Sequence, residues 1–130
     1  MREDLEQKLY KDFPSLYRQK DWFIKESCMP WGFEFGSGWF QIVYDLSKRI
    51  MEIDPGVQAS QVKEKFGGLR FYVSNVARET SDAVFEAIDK AEAFSLETCE
   101  NCGNLGKPNE FGWIVTLCDG CRVKRNESRL

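Results

Sequence analysis

Apolar residues recur at helical spacing near the start of the chain. Leu5, Leu9 and Phe13 stand four residues apart, and Pro14 follows them. Because proline cannot continue a helix, the pattern predicts an amphipathic helix over roughly residues 2–12 that packs one face against the rest of the protein.

Two more helices are predicted from apolar residues three or four positions apart, each preceded by a serine that can cap the helix. Ser37 precedes the first, and Asp54-Pro55-Gly56 ends it. Its apolar positions are Trp39, Val43, Leu46 and Ile50. Ser81 precedes the second, which runs to about Leu96. Its inward positions are Val84, Ile88, Ala91 and Ser95.

Two segments have the pattern of strands. Residues 31–36 (WGFEFG) alternate aromatic with small or charged residues, which is the period of a strand with one aromatic face. Residues 61–73 (QVKEKFGGLRFYV) hold two β-rich runs around Gly67 and Gly68. Two adjacent glycines suit a two-residue hairpin turn, because that turn demands positive φ.

The register set by that turn gives the hairpin an apolar face and a basic face. It places Phe66 opposite Leu69, and Lys65 opposite Arg70. The apolar face is interrupted by one carboxylate and comprises Val62, Glu64, Phe66, Leu69, Phe71 and Val73. The basic face, our predicted partner-binding surface, comprises Lys63, Lys65, Arg70 and Tyr72. Like charges opposite each other cost stability, which an anionic partner would remove. A solvated face that discourages edge pairing has the same pattern.

The cysteines form two pairs with the spacing of a metal site. Cys99 and Cys102 are followed, after fifteen residues, by Cys118 and Cys121. Two thiolates separated by two residues reach one metal ion through a tight turn, so two such turns supply a tetrahedral zinc site. Four protein ligands leave no open coordination position, and we therefore predict one structural Zn²⁺.

The zinc site defines the expected C-terminal module. Residues 111–117 have the composition of a strand, and the chain from Arg122 onward has helical propensity. In a treble-clef or ribbon finger, a turn that carries the first cysteine pair (a knuckle) is followed by a strand and then by a helix that opens at the second pair. A segment of this size buries too little apolar surface to fold alone, so we expect its folding to depend on the metal.

Together these elements predict an α+β protein. We expect a small antiparallel sheet, made of the Gly-Gly hairpin and the aromatic strand, packed with about three helices. The chain of 130 residues divides in this prediction into an α+β domain, residues 1–96, and a zinc finger, residues 97–130.

Charge and composition narrow the classes of partner. The net charge is −3, and residues 97–130 hold five basic and five acidic groups. General binding to polyanions needs clustered Lys and Arg, so neither part fits that class. The N-terminal residues MREDLEQKLY have no apolar core, and no stretch approaches the ~18 apolar residues of a membrane span. We expect a soluble cytoplasmic protein without a membrane partner, in which paired cysteines bind metal rather than form disulfides.

The end of the chain offers a second candidate surface. Its basic residues are Arg122, Lys124, Arg125 and Arg129, with Glu127 as the only acid among them. A basic helix on a zinc finger can rest on nucleic-acid phosphates, and a frayed, solvated tail has the same composition. Direct binding to nucleic acid is therefore the alternative function.

The sequence argues against catalysis. Without any histidine, the commonest general base is missing. Asp54 followed by Gln61 and Lys63 is a weak match to the acidic and Gln-x-Lys pattern of metal-dependent nucleases, but it contains only one certain carboxylate. Cys28 stands apart from both pairs and is interpreted as a buried or idle thiol. We predict that the protein is not an enzyme.

Four segments, GSGWFQIVYDL, QVKEKFGGLRFYV, ETCENCGNLGK and GWIVTLCDGC, resemble a family of small phage, prophage and bacterial proteins. In that family a tryptophan-led helix, a Gly-Gly hairpin and a C-terminal zinc finger follow in this order. Where the family often ends its second knuckle with histidine, this chain has Cys121, which changes the ligand but not the closed site. The resemblance carries no activity, but it implies a phage-type accessory protein that inhibits or redirects host machinery, including defence complexes.

The leading hypothesis is therefore a non-enzymatic, zinc-stabilised protein that acts by binding. Its expected partner is a protein complex that handles nucleic acid. The aromatic content is high, with ten Phe, four Trp and four Tyr, which indicates either a strong core or some aromatic surface kept for a partner.

Overall fold

The computed structural model describes residues 1–128, and Arg129 of the predicted basic tail lies outside them. Within this range the helices are α1 (Glu3–Asp12), α2 (Phe40–Ile53), α3 (Ser81–Ser95) and α4 (Asp119–Ser128). The strands are β1 (Phe33–Glu34), β2 (Gln58–Lys65), β3 (Gly68–Ser74), β4 (Lys107–Pro108) and β5 (Thr116–Leu117). The α+β class predicted from the sequence is confirmed.

Helices α2 and α3 carry the apolar positions expected of them. Every predicted inward residue of both helices is buried or nearly so. Their starts differ from the prediction. Residues Ser37–Trp39 form a 3-10 turn before α2, and the Ser37 hydroxyl accepts a hydrogen bond from the Arg2 N–H (2.9 Å) instead of capping the helix. Helix α3 follows Thr80, whose hydroxyl donates to the Asp54 carboxylate (2.6 Å).

Strands β1, β2 and β3 form one sheet in that order, and it is mixed rather than antiparallel. Strand β1 pairs with β2 in parallel, with Phe33 opposite Val62. The reason is the connection, because α2 lies between the two strands and returns the chain to the same end of the sheet. The aromatic strand is also shorter than residues 31–36, since Met29–Trp31 form a 3-10 turn that leaves Trp31 exposed.

The hairpin turn lies one position earlier than predicted. Phe66 and Gly67 form it, with φ of 55° and 83°, and Lys65 pairs with Gly68. Positive φ at both positions is typical of a type I′ turn. The turn is fixed by contacts that local sequence does not reveal, because the Gly67 N–H donates to the Glu64 carboxylate (2.7 Å) and the Gly67 carbonyl accepts from Thr116 (2.6 Å).

The corrected register keeps both faces of the hairpin but changes two details. Val62 now lies opposite Phe71, and both are buried. Phe66 leaves the apolar face for the turn. Lys63, not Lys65, is opposite Arg70. The faces survive because the pairing moves by two residues, and side chains alternate with a period of two.

The main core lies between the sheet and helices α1, α2 and α3. Its largest fully buried side chains include Trp39, Tyr17 and Leu9. The Tyr17 hydroxyl bonds to the Ser47 hydroxyl (2.6 Å), and burial raises the pKa of Tyr17 far above its ordinary value. A second, small cluster comprises Cys99, Val115, Leu117, Cys118 and Cys121.

Asp54 joins the end of α2 to the start of α3. It is 8% exposed, and its carboxylate accepts hydrogen bonds from the N–H groups of Gly56 and Ala77 (both 3.0 Å) and from the Thr80 hydroxyl. The Thr80 bond, followed by the Ala77 bond, lowers the pKa of Asp54 below its ordinary 3.8. A carboxyl with a lowered folded pKa contributes stability above the unfolded pKa and loses it as the pH falls.

We predict that Asp54→Ala lowers the free energy of unfolding by about 2 kcal/mol at pH 7, because three donors lose a charged acceptor. The difference from the wild type should narrow as the pH falls below about 3.8. Urea unfolding at several pH values measures both effects, with the exposed Asp89→Ala as control. A difference that is constant down to pH 2 would contradict this role.

Candidate metal centre

The first cysteine pair lies on a tight turn after α3. The Cys99 N–H donates to the Asn104 carbonyl (2.7 Å), and the Gly103 N–H donates to the Cys99 carbonyl (2.9 Å). Gly103 has φ of 84°, a conformation that glycine adopts without strain. The turn therefore presents the sulfurs of Cys99 and Cys102 on the same side.

The second pair lies where a short hairpin meets α4. Strands β4 and β5 pair with Lys107 opposite Leu117, and Cys118 follows directly. Helix α4 begins at Asp119, within the second cysteine pair as predicted and three residues before Arg122, so Cys121 lies in its first turn. The predicted strand over residues 111–117 is reduced to β5, because residues 109–115 form a loop. Knuckle, hairpin and helix follow in treble-clef order.

The four paired sulfurs converge on one point. The Sγ atoms of Cys99, Cys102, Cys118 and Cys121 all lie within 4.8 Å of one another. The Cys102 and Cys118 sulfurs are 3.6 Å apart, whereas a disulfide requires about 2.05 Å. Metal–sulfur bonds of about 2.3 Å in a tetrahedron separate the sulfurs by about 3.8 Å. The four cysteines therefore fit one tetrahedral metal ion.

The thiols differ in their tendency to ionise. Burial raises the pKa of Cys99, but backbone N–H groups that point at its sulfur, those of Cys118 and Cys102 foremost, hold this pKa down to about 7. The neighbouring Cys118 thiol, with burial, raises the pKa of Cys121 to about 12. One thiolate thus opposes the formation of others, and a bound cation would remove that repulsion.

The knuckle docks on the main domain through Glu100. Its carboxylate accepts a hydrogen bond from the Gly36 N–H (3.0 Å), and its carbonyl accepts one from the Gly38 N–H (2.7 Å). Its own N–H donates to the Thr116 carbonyl (3.1 Å). Burial at this junction raises the pKa of the Glu100 carboxyl above its ordinary value. One residue therefore ties the knuckle to both the main domain and β5.

The contact surface leaves no space for side chains at two glycines. A Cβ at Gly38 would lie 2.1 Å from the Cys99 carbonyl oxygen, and one at Gly36 would lie 2.4 Å from that of Glu100. Next to them, the indole N–H of the fully buried Trp39 donates to the Thr98 carbonyl (2.8 Å). The candidate metal centre therefore packs against Trp39, at the edge of the main core.

The predicted partner-binding residues of the hairpin lie on one face of the sheet. Lys63, Lys65, Arg70 and Tyr72 share the side that faces away from the core. Arg70 forms an ion pair with Glu92 of α3. The charge that we expected a partner to neutralise at Arg70 therefore has an internal counter-ion, and Lys65 is not directly across from it.

The predicted residues of the basic tail are in different environments. The Arg122 guanidinium donates to the carbonyls of Lys107 (2.6 Å) and Leu117 (3.4 Å), so it braces α4 against the finger hairpin. Lys124 is exposed, and Arg125 is half-buried. Among the predicted tail residues that the structure describes, only Lys124 is therefore exposed.

Two residues of the weak nuclease pattern, Asp54 and Gln61, have structural partners, whereas Lys63 forms no ion pair among residues 1–128. The Asp54 carboxylate is engaged by three donors, as described above, and the Gln61 amide donates to Glu34 (3.5 Å). Cys28 is exposed, and the metal-binding group does not include it.

Three exposed aromatic side chains near the finger were not predicted as surface. They are Phe66 at the hairpin turn, and Phe111 and Trp113 in the loop before β5. Each has a glycine beside it in the sequence, which is a signal for a turn rather than a strand. That signal was available at all three positions.

Comparison with known proteins gives no match: no family model matches the chain, and no curated protein and no solved structure is significantly similar to it. The resemblance to small phage and bacterial proteins therefore stays a prediction. Across residues 1–128, no helix combines the length and apolar character that crossing a membrane requires.

We predict that protein purified under reducing conditions holds one metal ion per chain by elemental analysis. Cys99→Ser should abolish this content, whereas Cys28→Ser should retain it. A strong chelator should also red-shift the tryptophan fluorescence, because loss of the knuckle uncovers the buried Trp39. Metal-free protein with unchanged fluorescence and stability would contradict a structural metal.

Gly38→Ala should lower the free energy of unfolding by about 3 kcal/mol, because the new Cβ meets backbone atoms that cannot move aside. The matched control is Gly120→Ala, whose Cβ meets nothing within 4 Å and which lies in α4. That change should be neutral or raise stability by up to about 1 kcal/mol. Thermal unfolding of the metal-loaded variants measures both, and equal effects would argue against the docked knuckle.

Proposed function

We propose that this protein is a non-enzymatic, zinc-stabilised binding protein whose hairpin captures an acidic protein partner. The proposal rests on one observation: the segment with the closed four-cysteine site is hydrogen-bonded to the turn of an exposed hairpin. Thr116, two residues before Cys118, donates to the Gly67 carbonyl in the hairpin turn (2.6 Å). The metal site thereby supports the surface that would meet the partner.

Zinc is the ion that best suits the four sulfurs. It favours thiolate ligands in tetrahedral geometry and has no redox chemistry of its own. Cys99, Cys102, Cys118 and Cys121 would complete its coordination, which leaves no position for a reacting water. In this proposal zinc holds structure, and the protein works in a reducing compartment such as the cytoplasm, where the thiols stay reduced.

The hairpin face, defined here as Lys63, Lys65, Arg70 and Tyr72, supplies the recognition chemistry. Lys63 and Lys65 form no ion pair with any carboxylate among residues 1–128, whereas Arg70 is paired with Glu92. The Tyr72 side chain is exposed beside them. Unpaired cations next to an exposed aromatic suit an acidic protein surface.

The identity of the partner rests on the resemblance to phage proteins. It supports a phage-type accessory role, in which the partner is a host complex that handles nucleic acid, including a defence complex, and binding inhibits or redirects it. Direct nucleic-acid binding by α4 has less support, because Arg122 is held by backbone carbonyls and the finger segment has as many acids as bases.

The test is capture of a partner from the native host by the immobilised, zinc-loaded full chain. Lys63→Glu together with Lys65→Glu should reduce the captured partner at least tenfold, because both cations contact it. Arg70 is left unchanged, since reversing it would break its ion pair with Glu92. Lys11→Glu with Lys48→Glu changes the net charge equally on exposed helical positions and is the control.

Mass spectrometry quantifies the captured proteins, and metal content verifies that each variant is folded. Equal capture by both double variants would remove the hairpin face as the contact. Retention of a labelled oligonucleotide that disappears with added salt, and that Lys124→Glu weakens, would favour the nucleic-acid alternative.

A further inference from the structure

The hairpin turn displays a large aromatic residue in a conformation that suits other residues better. Phe66 has φ of 55° and its side chain is 69% exposed. Asparagine followed by glycine is the preferred pair for a type I′ turn, and a bulky side chain at positive φ is strained. Neither packing nor turn geometry explains phenylalanine here, so its exposed ring calls for a functional explanation.

The finger loop displays a second aromatic residue on a rigid frame. The Asn109 side chain donates to the carbonyls of Phe111 (2.6 Å) and Trp113 (2.9 Å) and accepts from the Val115 N–H (2.8 Å). These bonds fix the loop while leaving Trp113 75% exposed. A large apolar ring held in solvent by an ordered loop is typical of an interface anchor.

Phe66 and Trp113 flank the same cleft. Its volume is about 390 Å³, and its lining is mostly apolar: Glu64, Lys65, Phe66, Gly112, Trp113 and Ile114. One wall is the hairpin turn and the other is the finger loop. Thr116 joins the finger to the hairpin turn through its bond to Gly67, so the position of the finger sets the width of the cleft.

The charges at the rim favour an acidic protein segment. The Lys65 ammonium lies 5.5 Å from the centre of the Phe66 ring, and Lys63 is two residues away on the same face. The Glu64 carboxylate is turned to the Gly67 N–H. Two lysines and one carboxylate attract acidic side chains, but they are too few for a nucleic acid, whose affinity depends on many phosphate contacts.

We infer that this cleft is the anchor site for an acidic segment of a partner protein, which inserts one apolar side chain between Phe66 and Trp113. The inference rests on the proposed function and adds a contact beyond the hairpin face. The apolar side chain fills the cleft, and the acidic residues beside it meet Lys65 and Lys63. Because the finger forms one wall, binding requires the metal.

Phe66→Asn separates this role from folding. Asparagine suits the turn better than phenylalanine, so the variant should unfold at the same or a higher temperature. Trp113→Ala removes the other ring at an exposed position and should leave the melting temperature nearly unchanged. Phe94→Ala, at an exposed aromatic on α3, is the control for loss of apolar surface elsewhere.

The probe is a randomised peptide library displayed against the zinc-loaded full chain, with clones that bind the Phe66→Asn/Trp113→Ala variant removed. We expect enriched peptides that combine acidic residues with one aromatic or aliphatic residue. A synthetic copy should bind the wild type and Phe94→Ala equally, bind either cleft variant at least tenfold more weakly, and lose binding when the metal is removed.

Several outcomes would overturn the inference. They are a selection that leaves no peptide once binders of the double variant are removed, a basic or featureless consensus, and a labelled single-stranded oligonucleotide that needs both rings while peptides do not. Self-association of the wild type that Phe66→Asn abolishes would assign the cleft to a second copy of the chain instead. Partner capture that depends on Lys63 and Lys65 but not on Phe66 and Trp113 would retain the proposed function and reject this site.

Discussion

The contact between the first cysteine knuckle and Gly36-Ser37-Gly38 is the constraint on which the rest of the structure depends. Backbone atoms meet backbone atoms there, with Glu100 bonded to both glycines and Trp39 bonded to Thr98. Where backbone meets backbone at Gly36 and Gly38, no side chain could move aside to accommodate a displaced knuckle. The position of the metal ligands is therefore fixed by the main domain, and the start of α2 is fixed in turn by the finger.

The same module reaches a second part of the main domain through Thr116. Its hydroxyl bond to Gly67 explains why the hairpin turns at Phe66 and Gly67, although two glycines stand one position later. A finger with little core of its own thus gains stability from two docking points. In turn, its contact with Gly67 orders the tip of the hairpin, which would otherwise extend into solvent. The fold of the finger and the shape of the hairpin tip are coupled through this bond.

The sequence was sufficient where the structure is set by local pattern. The buried positions of α2 and α3 follow from helical spacing, and the convergence of the four cysteines follows from the spacing of two short turns. It was insufficient where distant contacts decide. The hairpin turn depends on Thr116, and the charge of Arg70 is balanced by Glu92. Neither of these partners is adjacent in sequence, so periodicity alone does not reveal them.

The altered pKa values of three polar groups have structural causes. Asp54 closes the loop before α3, Tyr17 is buried against Ser47, and Glu100 holds the knuckle. A carboxyl or hydroxyl with an altered pKa points to catalysis when nothing in the fold accounts for its environment. Hydrogen bonds and burial within the fold account for each of these three groups. The features left without such an explanation are apolar: Phe66 strained in its turn and Trp113 displayed on an ordered loop. Exposed rings on rigid supports are typical of surfaces that recognise another protein, and they are the features on which the proposed anchor site rests.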